Sequence, residues 1–306
     1  MNHFIRDIIL CCQLLILCTS PCLAEELDPR RWSHLPINTN FAGGGYASTE
    51  ADIALDPVLR IEDGQAELQT WVAKYIRTFA LLDKSARVDL VQGYQKGRWS
   101  GRIDGVATTV RRSGWMDTRL RFAINLYGAP PLQSKDYATY REATDVETIV
   151  GAGLSLQLPT GEYMNDKLIN LGTNRYTFRP QLGVVHTSGN WSAEVTGLIE
   201  LYTDNDDFFN GKKLENAPLY VIHGHLIYNF RPGVWGSGSA GYDYGSRSTV
   251  DGAKKDDRKQ DLAWALSFGL PLNRHLGLKV AYVATRTQES TGIDSDSFLV
   301  ALSAFW

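Results

Sequence analysis

The residues of this chain that could do chemistry are spaced two apart, as on strands. His223 and His225 flank a single glycine, so on a strand their side chains share one face. Two imidazoles at this spacing could chelate a divalent metal, with Asp243 near His223 on the next strand. Zinc would still require further ligands. The pattern therefore favours two histidines that line a polar surface, and we predict no metal and no other cofactor.

A second group of candidate ligands is the acidic run Asp204-Asn205-Asp206-Asp207. Several carboxylates within a few residues could hold calcium or magnesium and bridge lipopolysaccharide phosphates. The run lacks the spacing of a known calcium-binding loop and is more typical of a solvated acidic loop. What these groups do depends on the elements that carry them.

The C-terminal residues 296–306 indicate the type of element. Every second residue there is apolar, namely Phe298, Val300, Leu302, Ala304 and Trp306. Period two is the period of a strand. A strand of about ten residues with an apolar face and a C-terminal aromatic residue is typical of a transmembrane β-barrel. An edge strand of a soluble sheet is the alternative, and the preceding chain decides between them.

Turn residues divide that preceding chain into strands at the spacing expected of an all-β protein. We predict twelve strands, at 68–82, 86–95, 98–110, 115–127, 148–158, 175–186, 190–203, 219–230, 234–244, 261–270, 276–285 and 296–306. The segments 98–110 and 115–127 are predicted to form a hairpin around the turn 111–114.

The apolar faces of these strands stay nearly free of charge. Leu262, Trp264, Leu266 and Phe268, for example, alternate with small or polar residues. A soluble sandwich also alternates, but lipid requires an uncharged outer face over the whole set of strands. The sequence therefore predicts an all-β fold, a transmembrane antiparallel β-barrel of about twelve strands over residues 65–306.

Loop lengths agree with a barrel that has short periplasmic turns and long outer loops. The long loops fall at 159–174, 204–218, 245–260 and 286–295. The segment 128–147 is an exception, because it is long yet falls on the periplasmic side. Within it, the stretch SKDYATYREAT predicts a short helix capped by Ser134.

The N-terminal region has a different composition. Residues 1–24 contain Arg6, an apolar core and the small-x-small site at Cys22-Leu23-Ala24, which predicts a secretory signal peptide and export to the outer membrane. All four cysteines lie in this segment. Residues 25–64 do not alternate cleanly, and we predict a periplasmic arm or partial plug there.

If the apolar face of each predicted strand meets lipid, the alternate residues face the barrel lumen. A set of charged side chains then lies in the lumen together with His223, His225 and Asp243. The set comprises Arg87, Asp89, Arg102, Asp104, Arg119, Arg121, Arg175, Arg179, Glu194, Glu200 and Lys279. We expect Arg175 roughly opposite Glu200, and Arg179 diagonal to Glu194. These groups could simply pair across strands, or they could orient a polar or anionic solute, and both roles are compatible in a narrow barrel.

Four stretches of the chain resemble an outer-membrane family named for a MetA pathway of phenol degradation, whose members are often called transporters. They are GGGYASTEADIALDP (43–57), RFAINLYGAPPL (121–132), LPTGEYMNDKLINLGTNRYTFRPQLGV (158–184) and TDNDDFFNG (203–211). The most specific part is Leu158-Pro159-Thr160-Gly161 followed by Asn170-Leu171-Gly172. The resemblance implies an outer-membrane barrel that passes small, often aromatic or apolar compounds, and it supplies no catalytic residues.

A hydrolase is the enzymatic alternative, because His186, Ser188 and Asn190 superficially resemble the His-x-Ser arrangement of outer-membrane phospholipase A. A hydrolase needs the serine beside its base, whereas here the three residues fall on a predicted tight turn. We therefore predict a protein that is not an enzyme.

The hypothesis is a passive outer-membrane channel for small molecules. A non-conducting structural or surface-binding barrel is the alternative. The expected partners are the solute, membrane lipid and lipopolysaccharide, and the barrel-assembly machinery, which would bind the C-terminal strand at 296–306. The formal charge of −3 argues against nucleic acid as a partner.

Overall fold

The computed structural model describes residues 27–56, 61–103 and 106–306, and the predicted signal peptide lies outside these ranges. The strands are β1 (Asn40–Asp56), β2 (Ile61–Leu81), β3 (Lys84–Ile103), β4 (Val106–Trp115), β5 (Thr118–Tyr127), β6 (Val146–Leu158), β7 (Thr177–Ser188), β8 (Trp191–Tyr202), β9 (Asn205–Phe208), β10 (Lys212–Asn216), β11 (Leu219–Arg231), β12 (Val234–Gly245), β13 (Ser248–Val250), β14 (Ala253–Lys254), β15 (Lys259–Pro271), β16 (Leu276–Thr287) and β17 (Gly292–Phe305). The helix is α1 (Ser134–Ala143).

Neighbouring strands pair antiparallel around a closed ring, which confirms the predicted barrel. The ring consists of β1, β2, β3, β5, β6, β7, β8, β11, β12, β15, β16 and β17, which makes twelve strands, and it closes where β1 pairs with β17 and β2 with β3. The strand β4 extends the wall on one side, because it pairs with 94–103 of β3 while β5 pairs with 86–91. The short strands β9, β10, β13 and β14 form a separate sheet in the long loops.

The outer surface of the ring is apolar, as the alternation predicted. On β15, Leu266 is 59% exposed, whereas its neighbour Ala265 is 1% exposed on the opposite, inward face. Phe298, Leu302 and Trp306 in the C-terminal part of the chain are likewise exposed. Large apolar side chains that remain exposed around a closed ring indicate a surface that contacts lipid rather than water.

Aromatic rings form rows on this surface. Near the end of the barrel with the short turns, Trp191 contacts Tyr228 with ring centroids 4.7 Å apart, and Tyr228 contacts Phe230 at 5.0 Å. On the other side of the ring, Trp71 and Tyr94 continue a row across β2 and β3 at 6.2 Å. Amphipathic rings in such rows are typical of the level of the lipid headgroups.

The prediction that residues 25–64 form a periplasmic arm or partial plug is wrong for residues 40–56 and 61–64, which lie in barrel strands. Residues 40–56 are a full barrel strand, in which Tyr46 pairs with Val300 of β17 and Trp71 of β2. Hydrogen bonds to two neighbours satisfy the backbone of β1 and override its poor strand propensity. Its outward face carries Gly44, Ser48 and Glu50, so no apolar alternation marked it in the sequence.

The predicted strand 98–110 and the turn 111–114 are also wrong. Residues 98–103 continue β3, Ile103 pairs with Val106 of β4, and Arg111 lies inside β4 opposite Arg98. The predicted number of twelve barrel strands is nevertheless correct. The predicted strand 98–110, which is not a separate strand of the ring, compensates for β1, which the prediction omitted. The strands β2 and β3 have 21 and 20 residues, about twice the length needed to cross a membrane.

The predicted helix within 128–147 is confirmed as α1, but Ser134 does not cap it. The N-cap residue is Gln133, which makes no side-chain capping hydrogen bond. The helix lies at the end of the barrel that holds the N-terminal residues, since Tyr137 is buried and its hydroxyl donates to the backbone oxygen of His34 at 3.0 Å. None of the helices in the described ranges is long and apolar enough to cross a membrane.

The position of β1 gives a first testable prediction. Removal of the chain up to residue 39 should leave a barrel that migrates faster on a gel unheated than heated, because every barrel strand is retained. Removal up to residue 56 should abolish this heat-modifiable form, because β2 and β17 would then lack a common partner. A folded barrel from the longer truncation would show that β1 is dispensable.

Candidate functional site in the barrel lumen

A buried carboxylate on the lumen wall is surrounded by three cations. Asp89 of β3 is 2% exposed. Its side-chain oxygens lie 3.3 Å from Arg87, 3.4 Å from Arg121 and 3.9 Å from Lys74. Strand parity places all four side chains inside the ring, where an unpaired charge would cost several kcal/mol. The cluster carries an excess of positive charge and can attract anionic or polar groups.

A second ion pair lies on β7 and β8, but the predicted partner was wrong. Arg179, not Arg175, pairs with Glu200, with its Nε 2.6 Å from the carboxylate. The turn between these strands is the two-residue Gly189-Asn190, which shifts the register by four residues from the predicted one. Arg175 lies before β7 and places its guanidinium 4.5 Å from the Tyr202 ring centroid.

The carboxylate of Glu194 also has a partner that the sequence did not predict. The backbone N–H of Arg31 donates to Glu194 at 3.1 Å, and the Arg31 guanidinium donates to Gln181 at 3.2 Å. Arg121 donates to the same oxygen of Gln181 at 3.2 Å. Residues that precede the first strand therefore reach the lumen wall.

Residues 27–39, here called the N-terminal segment, make several further contacts with lumen-facing side chains. Asp28 lies 2.5 Å from Nζ of Lys279. The guanidinium of Arg30 lies over the ring of Trp235, 4.9 Å from its centroid. Trp32 is 1% exposed and donates from its indole nitrogen to the Thr196 hydroxyl at 2.8 Å. In the sequence, the only signal for this role of Trp32 is that an aromatic residue follows two arginines.

The two predicted lumen histidines are buried and adjacent. His223 and His225 are 2% and 4% exposed, with ring centroids 5.2 Å apart. Nδ1 of His225 is hydrogen-bonded to the Ser239 hydroxyl at 2.8 Å. Asp243 is also inside, where it accepts a hydrogen bond from the backbone N–H of Asp261 at 3.0 Å. Among the described residues, no group of three or more His, Cys, Asp or Glu could hold a metal ion.

The remaining predicted lumen residues divide into three cases. Arg119 faces inward and donates to Gln157 at 3.3 Å. Arg102 is exposed, on the face of β3 opposite to Arg87, so its predicted lumen position is wrong. The prediction divided β3 into two strands, and the inward and outward sides of the second part were therefore assigned the wrong way round. Asp104 lies outside the described residues.

The most specific sequence motif folds the outer loop 159–174 around a buried carboxylate. Asp117 accepts hydrogen bonds at 2.9 Å from the backbone N–H groups of Gly161 and Thr173, and also one from Gln157. Gly161 and Gly172 pack so closely that a Cβ on Gly161 would lie 2.7 Å from Cα of Gly172. The motif is therefore structural, and the sequence did not single out Asp117.

The acidic run in the loop 204–218 is paired with neighbouring side chains. The amide of Asn165 donates to the Asp207 carboxylate at 2.9 Å, and Asn205 donates to the hydroxyl of Tyr163 at 3.0 Å. Asp204 lies 2.7 Å from Nζ of Lys213. These bonds join the two outer loops to each other.

The three residues of the hydrolase alternative do not form a catalytic arrangement. Nδ1 of His186 is hydrogen-bonded to the Thr148 hydroxyl at 2.8 Å, on the outer face of the barrel. Ser188 ends β7 and pairs with Trp191.

The end of the barrel with the short turns contains a cavity of about 580 Å³ between the N-terminal segment, α1 and the ends of β6 to β11. Arg30, His34, Arg141, Glu147 and Arg231 are among the residues that line it. Arg141 is paired with Glu147 at 2.5 Å. Nε2 of His34 donates a hydrogen bond to the backbone oxygen of Pro130 at 2.8 Å, which requires a proton on Nε2.

A closed twelve-stranded barrel with an apolar exterior and a charged lumen is the architecture of outer-membrane channels. The chain belongs to the family described as "Putative MetA-pathway of phenol degradation", which matches residues 38–293. This match confirms the resemblance found in the sequence motifs.

Two solved structures are similar in fold. An outer membrane channel from Pseudomonas putida F1 has a TM-score of 0.78 at 20% identity, over 91% of this chain and 99% of that one. The transport unit of the autotransporter AIDA-I from Escherichia coli has a TM-score of 0.51 at 8% identity, over 99% of this chain and 97% of that one. Among curated proteins, none matches the chain.

The Asp89 cluster gives a prediction about ion selectivity. Asp89→Asn leaves Lys74, Arg87 and Arg121 without their shared carboxylate. We expect the reversal potential in a salt gradient to shift toward anion selectivity and the barrel to lose up to roughly 3–5 kcal/mol of stability. Glu67→Gln is the matched control, because Glu67 is 67% exposed outside the lumen. Equal reversal potentials in both variants would contradict a role of the cluster in the ion path.

The pKa of His34 gives a prediction about pH. Burial lowers this pKa to about 4 from the ordinary 6.5, against the attraction of Glu147, while Arg141 lowers it further and the Tyr137 and Tyr140 rings cover the imidazole. The buried form therefore binds fewer protons than a released N-terminal segment. The contacts of the segment should be stable above about pH 6.5 and weaken as the pH falls from 6.5 toward 4.

Hydrogen exchange measures this effect at the backbone N–H groups of Ile37 and Asn38, which are bonded to Leu132 and Thr78. Protection, corrected for the intrinsic rate, should decrease between pH 7 and pH 5. His34→Asn should flatten this dependence, because the asparagine does not titrate. Unchanged protection in the wild-type protein would show that His34 is not the titrating group.

Proposed function

We propose that this protein is an outer-membrane channel for the passive passage of small polar, anionic or aromatic solutes. The observation that carries the proposal is the charged lumen within an apolar ring, with Asp89 and its three cations on one wall and the Arg179–Glu200 pair beside it. A barrel that served only as a scaffold would not need ionised groups along its axis, since burying them is costly.

The class of solute follows from the lumen and from the family. Lys74, Arg87 and Arg121 would attract a carboxylate or another anionic group, and Arg guanidinium groups also contact aromatic faces. The family description refers to phenol degradation, which favours aromatic compounds. Solutes would move down their gradient, with the outer loops 159–174 and 204–218 at the outer mouth.

The location and partners complete the proposal. Residues 1–24 would direct export and be removed, and the apolar exterior would contact outer-membrane lipid. The exposed outer loops would adjoin lipopolysaccharide. The C-terminal strand, which ends in Phe305 and Trp306, would be recognised by the barrel-assembly machinery.

A non-conducting surface-binding barrel is the second candidate function. One observation favours it, namely that the N-terminal segment places Arg31 and Trp32 against the lumen wall. In that case the bonded outer loops, joined through Asn165 and Asp207, would be the functional part.

Conductance in a planar bilayer tests the proposal. The refolded, heat-modifiable protein should give discrete current steps, and simple aromatics such as benzoate should block them. Arg121→Gln should weaken the block by roughly 5- to 30-fold, since one charged hydrogen bond or cation–π contact contributes about 1–2 kcal/mol. Folded protein that gives no steps, even without residues 27–39, would contradict the channel.

Deletion of the loop 204–218 separates the two candidates. Changed flux through a folded barrel supports transport. Unchanged flux together with lost binding to a lipopolysaccharide-coated surface supports the surface-binding barrel.

A further inference from the structure

The place that Trp32 occupies is formed almost entirely by the barrel wall. Gly151 of β6 and Gly183 of β7 are direct cross-strand partners. A Cβ on Gly151 would lie 2.1 Å from the Trp32 ring, and a Cβ on Gly183 would lie 1.8 Å from its indole nitrogen. Two facing residues without side chains thus create a flat recess in the wall that fits a planar ring.

Polar groups on the neighbouring strands complete this recess. The hydroxyl of Thr196 on β8 accepts the indole N–H at 2.8 Å. The guanidinium of Arg121 on β5 lies 4.9 Å from the ring centroid. Ala123, Ile149 and Val185 are buried in the same cluster as Trp32. All of these residues that surround Trp32 therefore belong to the strands β5, β6, β7 and β8.

We infer that this recess is a binding site for small aromatic solutes that carry an N–H or O–H donor, and that Trp32 occupies it as an internal competitor. The wall supplies what such a solute needs: a flat apolar surface, a cation for the aromatic face and an acceptor for the donor. We call it the aromatic recess. The inference rests on the proposed function, for which it names the class of solute and the place where that solute binds.

Competition connects binding to the N-terminal segment. A solute in the aromatic recess excludes Trp32, so it favours states in which the segment has left the wall. A ligand shifts such an equilibrium only by its difference in affinity for the two states. The segment is also attached through Asp28 to Lys279 and through Arg31 to Glu194, so the shift should require solute well above its intrinsic dissociation constant.

The first experiment measures binding when the competitor is removed. Trp32→Ala protein is titrated with indole and with benzofuran, which has the same shape but no N–H donor. Indole should bind about three- to tenfold more tightly, the factor expected for one hydrogen bond. Adding Thr196→Val should remove this preference, because it deletes the acceptor. Equal binding of the two compounds in Trp32→Ala protein would overturn the proposal.

The second experiment detects competition in the wild-type chain by trypsin cleavage after Arg30 and Arg31, both in the N-terminal segment. Cleavage should accelerate with indole and not with benzofuran at the same concentration. Gly183→Ala, which displaces the ring, should be cleaved rapidly without indole and not respond to it. Gly197→Ala is the matched control, because a Cβ there meets nothing within 4 Å, and it should behave as wild type.

Neither experiment depends on an ion current. A barrel that conducts but shows no indole preference and no indole-dependent cleavage would support the proposed channel and contradict the aromatic recess. A barrel that binds indole in the expected way but never conducts would contradict the channel and support the aromatic recess. If Gly183→Ala fails to give a heat-modifiable barrel, the Thr196→Val comparison alone decides the outcome.

Discussion

A sheet surrounded by lipid has no water to satisfy an unpaired edge, and this constraint determines the structure. Here it is met where β1 pairs with β17 on one side and β2 on the other. Closure forces one face of every strand outward and the other inward. Apolar side chains such as Leu266 therefore surround the ring, and charges such as Asp89 must find partners inside it.

The inward charges explain why the chain before β1 turns back into the barrel. The wall offers acceptors such as Glu194 and a cation at Lys279, and the N-terminal segment supplies the backbone N–H of Arg31 and the carboxylate of Asp28. These contacts place Trp32 against Gly151 and Gly183. Wall and segment are thus complementary in charge as well as in shape.

The parts of the fold that the sequence predicted are those with a local periodic signal. The alternation around Trp264 identifies β15 because one face must meet lipid. The strand β1 has no such face, since Gly44 and Glu50 point outward, and it forms because of its neighbours. The parity that placed Arg121 in the lumen is equally local, whereas Arg102 was misplaced when one long strand was divided in two.

The partners within the site required information that no short stretch contains. The pairing of Arg179 with Glu200 depends on a two-residue turn, and an error in turn length moves each partner by several residues. Asp117 and Trp32 act through residues far along the chain, at Gly161 and Thr196. Their roles follow from barrel closure, which brings these distant strands together.

Closure also has a consequence for the order in which the molecule assembles. Phe41 pairs with Phe305, so the contact that seals the ring joins opposite ends of the sequence. Pairings of such separation carry the largest loop-closure entropy and form late. The N-terminal segment runs directly into β1, so its path into the interior is fixed when that seam forms. Sealing the wall and filling the interior are therefore coupled steps of one folding event.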